Sequence, residues 1–422
     1  MNSALTALLV LLTAAFLAQG FYRPRRFYEF PFQAGAMLFT FLLPQLPGIL
    51  GDPSVPEADF TRALGFAIVC LLLLQIGWTR GQKPLGIFRQ AFDERRLLQA
   101  AGILSLVGAS FYYRLSHLPG ELVVGVQVTG LPVVYLFFAR LMTYGLVIAF
   151  LCFARRPSWP AAIVIAFDLF FYLERIVITG KRAEATELTM IVLLSLWFHR
   201  GWVVPRWVVT LGLVAGLIAT SSMGDYRQVT RANDGPVASE IMAIDIFDNF
   251  NTLLRDGGEE MRNAIKRLSD KSRDLELDFG SLHWNALVFN FVPAQLVGQD
   301  VKNSLMINLP PPARGYEPLT GTTEMGFSDA FQSFWYFGAL EFFLIAWLLA
   351  RIFASAREGW ASAQIFYILS IVPATHAISH VTNWVLQVWV HMTVFLVPVL
   401  LYAAVKRPEA LPSEPVPAAA PS

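Results

Sequence analysis

Apolar residues in this chain run in long blocks separated by short polar stretches. The blocks lie at about 1–20, 30–50, 62–78, 97–113, 131–153, 159–178, 186–199, 203–221, 327–350, 361–380 and 384–404. Most are about 17–25 residues long, enough for a helix to cross the hydrocarbon core of a bilayer. The pattern predicts an all-α, polytopic membrane protein with roughly eleven transmembrane helices. Eight precede residue 222, one long polar loop covers 222–325, and three more helices cover 326–405. The seventh block is short, and no internal repeat is visible. The tail over 406–422, rich in Pro and Ala, reads as disordered and cytoplasmic.

Inside the long loop the pattern changes. "VASEIMAIDIFDNFNTLL" and "GGEEMRNAIKRL" place apolar residues three and four apart, which predicts two amphipathic helices separated by the "RDGG" break. Their apolar faces are expected to pack on each other or to lie on the bilayer. "SLHWNALVFNFVPAQLVG" is apolar and aromatic and predicts a short helix at the outer interface.

Composition agrees with this picture. The chain has 422 residues, 55% hydrophobic and 15% charged, whereas a soluble domain is nearer a quarter charged. A net charge of +1 gives no reason to expect a nucleic-acid partner. Cys70 and Cys152 lie in apolar blocks, so no disulfide framework is expected. The first block lacks a basic leader and reads as a retained helix, with a cleaved signal peptide as the alternative.

Charge then assigns sides, because cytoplasmic loops carry the excess of Arg and Lys. Basic residues follow alternate blocks: Arg23, Arg25 and Arg26, then Arg80 to Arg96, Arg155 and Arg156, Arg200 and Arg206, Arg351 and Arg357, and Lys406 and Arg407. The expected topology is N-terminus outside and C-terminus inside. Residues 51–61, with Asp52, Glu57 and Asp59, then fall outside. So do residues 222–325, which hold ten basic and fifteen acidic residues.

Lys181 and Arg182 break that rule. They follow the sixth block in "IVITGKRAEATEL" and so face outside. A short-loop exception is one reading, and a cationic site at the outer boundary is the other. Arg175 favours the second, since an arginine within a span faces a polar cavity or an anion. An ion pair with Glu174 or Asp168 is the structural alternative. Cations at an interface suit a pyrophosphate, Arg as a planar fork and Lys as a point charge. The long loop adds Tyr226 and Arg227 in "GDYRQVTR", with Arg231 on the same face if the segment is helical, and Arg314 among prolines and glycines.

The chain lacks a phosphate loop and a dinucleotide fingerprint. His376 and His380 would share a helical face, where packing outweighs metal binding without a third ligand. His283, beside Trp284 in "GSLHWN", is a candidate general base with a ring on which a sugar can stack. The bland alternative is an interfacial aromatic residue with a neighbouring histidine. Glu324 and Asp329 are rival acid–base candidates.

Three features together resemble the oligosaccharide repeat unit polymerases, the O-antigen polymerase family of bacterial envelopes. They are the "GKRAE" turn between two mid-chain spans, the "MGDYR" exit into the long loop, and the late block "NFVPAQLVG…KNSLMINLPP…GYEPLTGTTEMGFSDAFQSFWYFG". The resemblance covers about 175–345 and the many-span layout. It implies a metal-independent membrane glycosyltransferase, without cofactor, at the periplasmic face of the bacterial inner membrane. Its implied substrates are undecaprenyl-pyrophosphate-linked oligosaccharides, with a chain-length regulator and a flippase as further partners. It also implies that Lys181, Arg182, Arg227 and Arg314 contact pyrophosphate and sugar. The late block has few basic residues besides Arg314 and Lys302, so donor binding would rest mainly on Arg175, Lys181, Arg182 and Arg227. A ligase passing finished glycan to a lipid A core or to a protein would use nearly the same donor site. A flippase would need an inward-accessible cavity and often shows repeats, and a structural export subunit would leave the outer cations without a role.

Overall fold

A computed structural model describes residues 2–118, 130–180, 182–232, 235–309 and 324–405, except the side chains of 178, 179 and 231. The disordered tail expected over 406–422 lies outside these residues. Each apolar block is helical. The first half contains α1 (Asn2–Tyr22), α2 (Phe30–Met37), α3 (Leu46–Leu50), α4 (Glu57–Arg80), α5 (Glu94–Ser116), α6 (Leu131–Ala139), α7 (Leu141–Arg155), α8 (Trp159–Thr179), α9 (Arg182–Arg200) and α10 (Arg206–Ala232). The polar loop contains α11 (Ala238–Met242), α12 (Ile246–Asp256), α13 (Glu259–Asp274), α14 (Ser281–Phe291), α15 (Ala294–Val297) and α16 (Gln299–Leu305). The chain ends with α17 (Gly326–Phe334), α18 (Ala339–Arg357), α19 (Ala361–His376) and α20 (Asn383–Ala403). Among the described residues the only β pairing is an isolated bridge, Phe92 to Ala404.

Among the described residues, seven segments are long and apolar enough to cross a membrane: Asn2–Tyr22, Phe30–Leu50, Glu57–Arg80, Leu131–Arg155, Arg206–Thr230, Gly326–Arg357 and Asn383–Ala403. The protein is therefore all-helical and membrane-embedded. The other blocks read as spans are more polar or shorter: α8 carries Asp168, Glu174 and Arg175, α9 carries Glu184 and Glu187, and α19 has 16 residues.

Side-chain contacts sort the connections into two ends of the bundle. At one end Arg206 Nε donates to Phe21 O (2.9 Å), Tyr28 to Trp202 O (3.0 Å) and Arg200 Nε to Ala154 O (2.7 Å). The same end holds Leu85 N on Ser355 Oγ (2.8 Å) and Val405 N on Ala91 O (3.0 Å). The opposite end gathers residues 51–61 with the long loop. Arg262 pairs with Asp52, and Arg273 reaches Asp59 at 3.3 Å. The two stretches that charge alone placed on one side thus meet there.

Several boundaries differ from the sequence reading. The seventh block is a longer helix than 186–199, because residues 182–185, with the charged Arg182 and Glu184, extend α9. "GDYR" lies on the last turns of α10, not in a loop. The ninth block is broken: Trp335 adopts φ +52° and a 3-10 turn over Trp335–Gly338 separates α17 from α18. His380 does not share a helical face with His376, because α19 ends at His376; their rings still lie 5.3 Å apart.

The loop helices form on either side of Gly257 and Gly258, as the "RDGG" break predicts, with a further interruption at Ala243–Asp245. Their apolar faces do not pair with each other. α12 packs on α3 and α10, and α13 packs on α4 and α17. Met261, Ile265 and Leu268 are buried on α13, each stabilising the docking by about 1.5–3 kcal/mol. Cys70 and Cys152 are free and buried, as their apolar surroundings imply.

Candidate functional site

Two clusters stand at the loop-bearing end. The first is built on the α8–α9 turn. α8 ends at Gly180 in the left-handed region (φ 59°, ψ 39°), a conformation that favours glycine at a helix C-terminus. A Cβ there would lie 3.0 Å from the Tyr226 ring and 3.2 Å from the Met223 sulfur, so space as well as φ selects glycine. α10 clasps this turn: the Tyr226 hydroxyl donates to Val177 O (2.5 Å), and Arg227 Nη2 donates to Gly180 O (3.4 Å). The "GKR" and "GDYR" motifs therefore form one structure. Arg182 begins α9, above the span read at 186–199. Burial, and then the neighbouring Arg227 charge, push its guanidinium below the usual arginine pKa, with Glu260 of α13 opposing. The Arg182 charge also reaches His376 and His380.

Arg175 lies one turn inside and is occupied differently from either expected pairing. It pairs with Glu184 of α9 and sits over the rings of Tyr112 (5.2 Å) and Tyr172 (6.0 Å). Asp168 accepts from Ser105 (2.7 Å) instead. Arg175 is thus part of an interhelical ion pair, because the turn at Gly180 folds α9 back beside α8 and delivers Glu184. Lys181, Arg314 and the side chain of Arg231 lie outside the described residues. The backbone of α10 is helical through position 231, as the four-residue spacing from Arg227 requires.

The second cluster surrounds His283 on α14. Its Nε2 is 2.8 Å from Thr382 Oγ1, 3.7 Å from Asp329 Oδ2 and 3.7 Å from Glu341 Oε2. Asp329, fully buried on α17, also accepts from Thr382 N (2.8 Å) and Oγ1 (2.7 Å). Glu341 on α18 lies 2.9 Å from the same hydroxyl. One hydroxyl proton thus stands between two carboxylates and an imidazole. His283 Nδ1, Asp329 Oδ1 and Glu341 Oε1 are buried with no hydrogen-bond partner among the described residues.

The other candidates surround this core. The half-exposed Trp284 donates from Nε1 to Leu305 O (2.8 Å), tying α14 to α16. Glu324 pairs with Arg267, whose Nε reaches Gln332 Oε1 (2.6 Å), so it is held by a cation rather than poised as a lone base.

The turn at 377–382 joins the two clusters. It carries His380, within reach of the Arg182 charge, and Thr382, at the centre of the acid cluster. Gly326 opens α17 against it so closely that a Cβ would lie 1.8 Å from Ala377 O. The arrangement offers cations on one flank and an imidazole backed by carboxylates on the other. Sequence reasoning missed Thr382 and Glu341. A lone acid opening the apolar run "EFFLIAWLLA" was the available signal for Glu341; Thr382 gave none. Among the described residues no three His, Cys, Asp or Glu side chains are arranged to hold a metal ion. Compared with protein-family models, curated proteins and solved structures, the chain matches none.

Proposed function

We propose that this protein is a membrane glycosyltransferase that polymerises undecaprenyl-pyrophosphate-linked oligosaccharide repeat units at the periplasmic face of a bacterial inner membrane. The observation that carries the reading is the clasp of Tyr226 and Arg227 on the Gly180 turn, which gathers Arg227 and Arg182 at the end bearing the long loop. The opposite end carries the Arg-rich connections, so that end is cytoplasmic under the positive-inside rule. The N-terminus is then periplasmic and the C-terminus cytoplasmic.

The chemistry follows from the two clusters. A sugar hydroxyl oxygen of the incoming unit bonds to the anomeric carbon of the growing chain. The bond from that carbon to the pyrophosphate oxygen breaks, and its electron pair stays on the pyrophosphate. Arg182 and Arg227 stabilise the charge that develops there. His283 takes the hydroxyl proton. With Nε2–H turned toward Thr382 and the carboxylates, Nδ1 carries the lone pair, and the carboxylates stabilise the imidazolium that results. Nδ1 is buried, so α14 has to shift to admit the acceptor hydroxyl.

The test is polymer formation by the purified protein from lipid-linked repeat units. The expected product is a ladder of lengths that disappears in Arg182→Ala and Arg227→Ala at parental membrane levels. A parental ladder from both variants overturns the reading. Transfer to a lipid A core or a protein, with no ladder, assigns the site to a ligase.

A further inference from the structure

A crevice of about 280 Å³ lies between α6, α14 and α20. Its walls are Val133, Phe137, Phe289, Phe291, Trp384 and Val388. The polar side chains that reach it are largely engaged within the protein. His391 holds Tyr144 (2.6 Å) and Phe137 O (3.0 Å) with its two ring nitrogens. Arg140 pairs through Nη2 with Glu187 at 3.5 Å, its Nε having no partner among the described residues, and Asn290 donates to Gln387 Oε1 (3.0 Å). Such a cleft offers ring faces and asks little hydrogen bonding of its occupant, so it fits an apolar chain.

Its direction ties it to the site above. α14 runs alongside the start of α20, with His283 meeting Thr382 and Asn290 meeting Gln387. His283 and Asn290 are seven residues apart and share one helical face, a separation of roughly 10 Å along the axis. A chain seated in the crevice and rising along that face emerges beside His283 and the 377–382 turn, where the Arg182 charge is felt.

We propose that this crevice seats the first isoprene units of the donor's polyprenyl carrier, so that its pyrophosphate emerges between His283 and the Arg182–Arg227 pair. The identity of the chain rests on the polymerase reading above; the seat itself rests on the crevice. The donor is thereby distinguished from the acceptor, whose reacting hydroxyl lies at the far end of its sugars from its own carrier.

The test uses the full-length protein in nanodiscs and a polyprenyl phosphate carrying a diazirine in its phosphate-proximal isoprene units. Irradiation is expected to label Phe289, Phe291 or Val133, and unlabelled undecaprenyl phosphate should compete where an excess of phosphatidylglycerol does not. Leu136 of α6 lines the same crevice, and Leu136→Trp, which fills it, should abolish that label and raise KM for the full-length donor by about tenfold, or 1.4 kcal/mol. A donor truncated to a single isoprene should be affected much less. Label confined to other helices, or equal competition by phosphatidylglycerol, overturns the seat. A polymer ladder without crevice labelling sinks the seat and spares the polymerase. Crevice labelling by a protein that forms no ladder does the reverse.

Discussion

The cationic turn and the His283 cluster stand at the same end of the fold, yet they are built by opposite means. The turn is local: Gly180 and Arg182 are neighbours, and one helix, α10, completes it with Tyr226 and Arg227. Arg227 holds the Gly180 carbonyl, and its charge acts on Arg182. The cluster draws His283, Asp329, Glu341 and Thr382 from four separate segments, and its acids are turned inward. A site for binding anions needs only charge at the right boundary, which a short motif can supply. A site that moves a proton needs carboxylates, a hydroxyl and an imidazole at fixed separations, which only tertiary packing supplies.

That contrast can be broken most sharply at His283. His283→Ala is expected to lower polymer formation by about 10²–10⁴-fold, and His283→Gln should fail similarly. Parental activity from both, in assays with purified lipid-linked units at matched protein level, would make the cluster a docking device for α14 and nothing more. Asp329→Ala should act next most strongly, and on the fold. It removes two charge-assisted hydrogen bonds to Thr382, each worth about 1.5–3 kcal/mol. Thermal unfolding in detergent should show a clear drop for this variant and none for Arg182→Ala. An equal drop in both would erase the division between a binding turn and a structural-catalytic core.

At the turn itself, Arg182→Ala and Arg227→Ala should each weaken donor binding by about 1.5–3 kcal/mol. Added salt should weaken the parent and narrow the gap, because these groups are only partly buried. Donor titrations at low and high ionic strength check both statements. The smallest effect is expected for Gly180→Ala. Its left-handed φ and the Tyr226 ring make the change cost about 1–2 kcal/mol, read as a shift in unfolding midpoint with donor binding reduced in step.

Much of the fold was legible because block length reports transfer from water to hydrocarbon, a property of each segment alone. The same holds for the loop helices, where Gly257 and Gly258 interrupt an amphipathic pattern. Partners were not legible. Nearness along the chain offers Glu174 or Asp168 as the structural alternative for Arg175, yet Glu184 takes it because Gly180 reverses the backbone. The break at Trp335 sits inside an apolar run that a continuous helix would satisfy equally well. It follows from how α17 must fold back to bring Asp329 and Glu341 to one hydroxyl. Tyr226 and Arg227 stand out in the sequence as a motif, but their role as a clasp depends on α10 continuing to Ala232.

The ion pairs between residues 51–61 and the long loop also impose a timetable. Arg262 and Arg273 are made about 200 residues after Asp52 and Asp59, a delay of roughly 10–40 s at ordinary rates of synthesis. Throughout that interval Asp52 lacks Arg262, and Asp59 has only Arg62 of its own helix, at 3.0 Å. α12 and α13 arrive late. The loop-bearing end of the early helices is thus finished by a segment from the second half of the chain, and a nascent protein halted before Glu259 would carry the cationic turn on a bundle that α13 had not yet joined.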